Sequence, residues 1–256
     1  MEKNIDIYNE SEKCIVKSKI FYKDENNISK KFYIFCHGYC SGKGSNSVKI
    51  VANELLKYNI SSISFDFPGH IDSVQGTEKL TVKTCISYID SVIDYIKNKY
   101  GNDTKISFFA ISFGAYILLN KLIGDKNNYE NIILRSPAFN MKNIFKNCLL
   151  KESFESYKKN GNAKTGHGGK IDVPFAFYED LVQNDLYKNY KEKRKILILQ
   201  GHLDDTAPIE DTYEFIKNKP EMELIEFKNL KHHMEPNEIK LVSETLANRL
   251  RLSKLT

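Results

Sequence analysis

Short apolar runs alternate along the chain with longer segments whose apolar residues recur at helical spacing. Because the runs are continuous, they are typical of strands buried on both faces of a parallel sheet. The helical spacing between them indicates amphipathic helices that pack against such a sheet. The predicted strands are 32–37, 61–67, 105–111, 131–136, 195–201 and 222–227. The predicted helices are 46–58, 81–97, 113–123, 209–218 and 237–252.

This alternation of strands and helices predicts right-handed crossovers, and therefore an α/β fold with a doubly wound, mostly parallel sheet. Residues 4–8 and 13–22, near the N-terminus, alternate between apolar and polar positions. Alternation of that kind favours an antiparallel hairpin at the edge of the sheet.

One long segment, 137–194, separates two of the predicted strands. A loop of this length without secondary structure is uncommon inside a compact domain. We therefore expect an excursion above the sheet, with short helices near 142–158 and 174–190. The segment is rich in large apolar side chains that anchor it to the sheet, among them Phe139, Met141, Phe145, Phe154, Phe175, Phe177 and Tyr178.

Composition narrows the class of protein. The 256 residues are 41% hydrophobic and 28% charged, with a formal net charge of +5, which is typical of a globular α/β protein. The densest basic run, 188–195, has no nucleic-acid-binding motif beside it, so we expect a solvated surface and no nucleic-acid partner. No apolar stretch is long enough to span a bilayer, and the polar, acidic N-terminus does not resemble a signal peptide.

The five cysteines are odd in number and irregular in spacing. They favour a reducing, cytoplasmic setting over a disulfide framework. Cys36 and Cys40 flank His37, but Cys36 lies within a predicted strand and no second group of ligands accompanies them. We therefore expect no metal site and no cofactor there.

Residues with candidate chemistry follow several of the predicted strands directly. Ligands of open parallel sheets bind beyond the carboxyl ends of the strands, so these residues are expected at one edge. In chain order they are Ser112, the pair Asp204 and Asp205, and the pair His232 and His233. A serine, an acid and a histidine at one edge predict a nucleophile, an orienting group and a general base.

Ser112 lies where a predicted strand becomes a helix. A sharp turn at this point presents the side chain away from the sheet, and it requires small residues two positions before and two after. Here these are Ala110, where glycine is more usual, and Gly114. The alternative is a serine that only caps the helix.

Two choices remain for the base and two for the acid. We favour His232 as the base because a loop of four residues after Phe227 places it at the rim, and His233 is the second choice. We favour Asp204 as the acid, since it lies in the turn that leaves the strand, with Asp205 as a solvent-facing or capping residue.

A developing oxyanion needs two backbone N–H donors. We expect them from Phe113, which follows the serine, and from Tyr39, in a loop where Gly38 allows a close approach. His37 is expected to shape the same loop by hydrogen bonding. A simple turn glycine is the alternative role for Gly38.

With these motifs the sequence resembles the α/β-hydrolase superfamily, and in particular the small bacterial serine esterases that include cinnamoyl and feruloyl esterases. The motifs are HGYCSGKGS at 37–45, FDFPGHIDS at 65–73, AISFG at 110–114, GHLDDTAP at 201–208 and KHHMEP at 231–236. Two residues depart from the family pattern: Ile71 stands where glycine is usual, and Ala110 precedes the serine.

The resemblance implies a hydrolase core formed by 1–136 and 195–256, with 137–194 as a small lid. It also implies hydrolysis of a small-molecule carboxylic ester through an acyl-enzyme, with Ser112, Asp204 and His232 as the triad and an oxyanion hole at Tyr39 and Phe113. Lid aromatics suggest an apolar or aryl acyl group. A thioesterase, amidase or peptidase with the same triad is the alternative, as is a hydrolase-fold protein that binds without catalysis. The sequence does not define the oligomeric state.

Overall fold

The computed structural model describes residues 1–166 and 169–252. Eight strands form one sheet in the order β1-β2-β4-β3-β5-β6-β9-β10, and β7 and β8 form a separate pair. The strands are β1 Glu2–Asn9, β2 Cys14–Phe21, β3 Lys31–Cys36, β4 Ser61–Phe65, β5 Lys105–Ile111, β6 Ile132–Arg135, β7 Asn162–Thr165, β8 Ile171–Pro174, β9 Ile196–Gly201 and β10 Met222–Phe227.

The prediction of a mostly parallel sheet is confirmed. Strands β3, β4, β5, β6, β9 and β10 pair in parallel. The two N-terminal strands form the predicted antiparallel hairpin, and β2 joins it to β4 in antiparallel register. All five residues of β4 are buried, although three of them are serines, because β4 lies between β2 and β3 inside the sheet.

Helices cover both faces of the sheet. They are α1 Asn46–Leu56, α2 Val82–Tyr100, α3 Phe113–Leu122, α4 Met141–Ile144, α5 Phe154–Asn160, α6 Phe175–Gln183, α7 Leu186–Asn189, α8 Ile209–Ile216 and α9 Pro236–Leu252. Helix α1 begins where the hydroxyl of Ser45 accepts a hydrogen bond from the N–H of Val48. Helix α2 begins in the same way at Thr81, which accepts from Thr84.

The sheet separates two apolar cores. Adjacent residues of β5 point to opposite faces, so Phe108 packs with α2 and α3, whereas Phe109 packs with α1 and α9. Both phenylalanines are fully buried. This central strand therefore ends in a rigid position, and Ser112 follows it immediately. No helix in the described part of the chain is long and apolar enough to cross a membrane.

The segment between β6 and β9 differs in part from the prediction. Short helices lie near 142–158 and 174–190, but α4 runs into a π-helical turn over Phe145–Leu149, and α5 begins only at Phe154. The hairpin of β7 and β8 was not predicted, because its four-residue strands are too short and polar to give a strand pattern. Residues 167 and 168, within this segment, lie outside the described residues.

Aromatic side chains attach this segment to the sheet. Phe145 and Phe177 contact each other and the ring of Tyr39, and Phe177 also contacts Phe113. These rings belong to the same core as α2 and α3. The segment therefore packs as part of the main core, and its aromatic residues serve chiefly as anchors.

Candidate active site

Ser112 occupies a strained turn between β5 and α3. Its φ of 50° and ψ of −113° are unusual for a residue other than glycine. The surrounding hydrogen bonds hold it there: its N–H donates to the carbonyl of Arg135 at 3.0 Å, and its own carbonyl accepts from Ala115 and Tyr116. The hydroxyl makes no capping hydrogen bond to the helix. The alternative of a plain helix cap is therefore wrong.

Small residues beside Ser112 allow the turn, as predicted. A side chain at Gly114 would overlap the carbonyl of Cys36, because α3 begins directly against the end of β3. Ala110 is fully buried and pairs with Cys36 in the sheet, and its methyl group is accommodated there. Glycine is thus required after the serine, whereas alanine is tolerated before it.

His232 and Asp204 lie together at the neighbouring strand ends. Nδ1 of His232 is 2.9 Å from both carboxylate oxygens of Asp204. Oδ1 of Asp204 also accepts the N–H groups of Thr206 at 3.1 Å and Ala207 at 2.8 Å. The carboxylate is completely buried, so these donors fix its orientation. Asp205, by contrast, is exposed.

A close backbone contact brings the two loops together. A side chain at Gly201, the last residue of β9, would overlap the carbonyl of Leu230 in the loop after β10. That carbonyl accepts the N–H of Leu203 at 3.0 Å. The loop that bears Asp204 is therefore hydrogen-bonded to the loop that bears His232. His233 is exposed, and its ring lies 5.4 Å from that of His232.

A cavity of about 160 Å³ brings these residues to a common space. Ser112, His232 and His233 line it, together with apolar residues from the segment between β6 and β9. Its remaining lining residues are Gly38, Tyr39, Ser41, Ser47, Ile111, Arg135, Met141, Ile144, Leu149, Thr206 and Met234. A hydroxyl and an imidazole at one cavity, with a carboxylate hydrogen-bonded to the imidazole, have the composition needed for nucleophilic catalysis.

Two backbone donors lie beside this cavity. Within the described residues, the N–H groups of Tyr39 and Phe113 have no hydrogen-bond partner. That of Phe113 is at the N-terminus of α3, where the helix dipole favours negative charge. A methyl group at Gly38 would meet Cβ of Ser112 at 3.5 Å, an ordinary contact, so Gly38 is not required for the close approach.

His37 shapes the loop that carries Tyr39. Its Nδ1–H donates to the carbonyl of Gly38 at 2.8 Å, and its Nε2 accepts the N–H of Phe67 at 3.0 Å. Burial lowers the pKa of His37 to about 4, so the ring is neutral near pH 7 and this tautomer is the one that both bonds require. The hydrogen bonds leave His37 no acid–base role in the cavity.

Lys43 and Asp66 fix the far end of the same loop, and sequence reasoning missed them. Asp66 is completely buried, and it accepts the backbone N–H of Lys43 at 2.7 Å and its Nζ at 2.6 Å. Nζ of Lys43 also contacts Asp72 at 2.6 Å. Asp66 lies in FDFPGHIDS, a motif that the sequence analysis used only as a point of resemblance to the α/β-hydrolase superfamily, without a role for the aspartate.

Arg135 is the second residue that sequence reasoning missed. It ends β6 and is only 6% exposed, and its Nη1 donates to the carbonyl of His232 at 3.1 Å. Burial lowers the pKa of Arg135 to about 10, against a smaller rise from Asp204, so the guanidinium remains charged at pH 7. A signal was present, because Arg135 is the one charged residue in the apolar run 131–136.

Metal-binding residues are not clustered in the described part of the chain. No group of three or more His, Cys, Asp or Glu side chains lies there in an arrangement that could hold a metal ion. The five cysteines are all unpaired thiols.

Known structures have the same fold. Est1E from Butyrivibrio proteoclasticus with bound ferulic acid is 18% identical, with a TM-score of 0.79 over 98% of this chain and 100% of that one. Mouse alpha/beta hydrolase domain-containing protein 10 is 16% identical, with a TM-score of 0.75 over 99% and 100%. The Pyrococcus furiosus esterase Pf2001 is 20% identical, with a TM-score of 0.66 over 97% and 92%.

The sequence itself gives a family match. No curated protein is significantly similar to the sequence. The family model described as serine aminopeptidase, S33, matches residues 28–163, which is more than half of the chain and includes the turn at Ser112. Taken with the parallel sheet and its structural neighbours, this match shows that the chain belongs to the S33 serine aminopeptidase family of α/β hydrolases.

Proposed function

We propose that this protein is a serine hydrolase that cleaves small-molecule carboxylic esters through an acyl-enzyme. The observation that carries the proposal is the imidazole of His232, held 2.9 Å from both oxygens of buried Asp204, beside a cavity that Ser112 also lines. This is the arrangement of base and orienting acid that activates a serine in unrelated hydrolases.

Each residue has one role in the proposed reaction. The hydroxyl of Ser112 attacks the acyl carbonyl while Nε2 of His232 takes its proton, and Asp204 holds Nδ1–H in the required tautomer. The N–H groups of Tyr39 and Phe113 donate to the oxyanion. His232 then protonates the leaving alcohol, and water releases the acyl group by the reverse sequence of proton transfers.

The segment 137–194 is proposed as a small lid over the acyl part of the cavity, on a core of 1–136 and 195–256. Met141, Ile144 and Leu149 from this segment line the cavity, which supports the assignment. None of these side chains is aromatic, and no aromatic residue from the described part of the segment is among those that line the cavity. An apolar acyl group is therefore favoured over one chosen by aromatic stacking.

Amide or peptide hydrolysis is the second candidate, because the matching family model is described as a serine aminopeptidase. An aminopeptidase must bind a free ammonium group, for which a carboxylate is the usual partner. No aspartate or glutamate is among the described residues that line the cavity, and Arg135 is. This charge pattern favours the ester over the peptide.

A fluorophosphonate probe and a short p-nitrophenyl ester test the proposal. We expect labelling at Ser112, and a loss of turnover of about 10⁴-fold or more in Ser112→Ala. His232→Ala should lose activity to a similar extent, whereas His233→Ala, at an exposed ring, should lose far less. Absence of labelling and turnover in folded protein would instead identify a non-catalytic binding protein, and an inactive His233→Ala beside an active His232→Ala would overturn the choice of base.

A further inference from the structure

Arg135 is a buried cation at the catalytic cavity. It lines the cavity together with Ser112 and His232, and 94% of its surface is removed from solvent, since its exposure is 6%. Burying a guanidinium is costly unless its donors find acceptors. The depressed pKa of Arg135 reflects the same cost. A buried guanidinium of this kind is expected to have acceptors that offset the cost of burial.

Its partners within the protein are few. The guanidinium has five N–H donors, and within the described residues one of them has an acceptor, the carbonyl of His232. Nε is buried and has no partner among these residues. No carboxylate of the described residues lies within ion-pair distance of Arg135. The negative charge of Asp204 acts on Arg135, but the oxygens of Asp204 already accept from His232, Thr206 and Ala207.

We propose that Arg135 binds an anionic group of the substrate, a carboxylate carried by the acyl chain. This inference rests on the proposed ester hydrolysis and names its substrate class. Arg135 is the one residue with a permanent charge among the described residues that line the cavity, and Ile111, Met141 and Ile144 provide apolar surroundings in which an ion pair is stronger than in water. A monoester of a short dicarboxylic acid supplies both the apolar chain and the anion.

A positioning role is the competing explanation. Through its bond to the carbonyl of His232, Arg135 also steadies the loop that bears the base. Loss of positioning alone slows every substrate by the same factor. Loss of anion binding changes the ratio of kcat/KM between an acidic and a neutral ester, so this ratio separates the two roles.

The first experiment compares the mono-p-nitrophenyl ester of glutaric acid with p-nitrophenyl valerate, which has the same acyl carbon count and no charge. We expect the protein to prefer the acidic ester by roughly 10-fold to 100-fold in kcat/KM, the range for hydrogen bonds to charged groups. The preference should fall to about 1 in Arg135→Gln, whatever its absolute rates, and remain in part in Arg135→Lys. Arg249→Gln removes an exposed arginine paired with Glu223 and should keep the full preference.

The second experiment measures binding without turnover. Glutarate is titrated calorimetrically into Ser112→Ala protein and into the Ser112→Ala, Arg135→Gln double variant, with circular dichroism as the check on folding. We expect glutarate to bind the double variant at least about 10-fold more weakly. Arg135-dependent binding of glutarate without any ester turnover by the wild type would overturn the proposed hydrolysis and the substrate class with it, and would leave Arg135 only as an anion-binding residue. Turnover of the valerate ester with no acidic preference and no glutarate binding would overturn this inference alone, as would a preference that survives in Arg135→Gln.

Discussion

The serine and the histidine reach the same cavity by different physical means. Ser112 is placed by the backbone: a positive φ, hydrogen bonds to its peptide groups and the close packing of Gly114 on Cys36. His232 is placed by charged and polar groups, namely the buried carboxylate of Asp204 and the guanidinium of Arg135. Activity should therefore be sensitive to added volume on the serine side, the turn from Ala110 to Gly114. On the histidine side, which is His232 with Asp204 and Arg135, activity should be sensitive to small changes in charge and hydrogen bonding.

Among changes to the partners of His232, Asp204→Asn gives the largest expected effect. Asparagine retains an oxygen for the N–H groups of Thr206 and Ala207, so the fold should persist. Its amide cannot hold the imidazole in the tautomer that accepts a proton from Ser112, and we expect kcat to fall by roughly 10³-fold to 10⁴-fold. Steady-state kinetics with a p-nitrophenyl ester measure the loss.

Asp205→Asn is the matched control, because the same chemical change occurs one residue later at an exposed position. We expect its kcat to stay within a few-fold of the wild type. Equal losses in both variants, or a larger loss at Asp205, would show that the orienting acid has been assigned to the wrong aspartate.

Gly114→Ala tests the serine side through volume alone. The added methyl group would overlap the carbonyl of Cys36, so α3 must move away from β3. Overpacking of this kind costs roughly 1–3 kcal/mol of the free energy of unfolding. The same shift displaces Ser112 and the N–H of Phe113, and a displacement of about 1 Å costs on the order of 10²-fold in rate. Urea denaturation and ester kinetics measure the two effects.

Gly44→Ala is the control for this variant. Gly44 is exposed, and a methyl group there would meet no atom within 4 Å. Its free energy of unfolding should change by less than about 0.5 kcal/mol, and its activity should persist. Should Gly114→Ala behave like Gly44→Ala, close packing on Cys36 does not determine the position of the serine.

The two sides also differ in how far the sequence predicts them. Ser112, Asp204 and His232 were placed at one sheet edge because each follows a predicted strand, and strand patterns are local. Arg135 was missed because its partner, the carbonyl of His232, lies 97 residues away along the chain. The hairpin of β7 and β8 was missed for a similar reason, since four-residue strands are stabilised by their pairing and by core contacts rather than by their own pattern.

Ile71 offers a smaller test of what backbone strain does. It shares a positive φ with Ser112, at 41°, but it is 69% exposed and replaces a glycine that is usual in the resembling esterases. A left-handed backbone costs an ordinary residue roughly 1–2 kcal/mol, and glycine relieves this cost. Glycine also increases the entropy of the unfolded chain, which lowers the free energy of unfolding by about 0.5–1 kcal/mol. We therefore expect Ile71→Gly to raise the free energy of unfolding by about 0.5 kcal/mol, measured by urea denaturation.

Val74→Gly, in the same loop, separates strain from the general cost of glycine. Val74 is also exposed and β-branched, but its φ is not positive, so the same substitution should lower the free energy of unfolding by about 0.5–1 kcal/mol. Equal destabilisation by both variants would mean that Ile71 holds no strain that glycine relieves. Opposite signs would show that the positive φ is costly at Ile71. At Ser112 the same cost would then be retained because the strained turn presents the hydroxyl to the cavity.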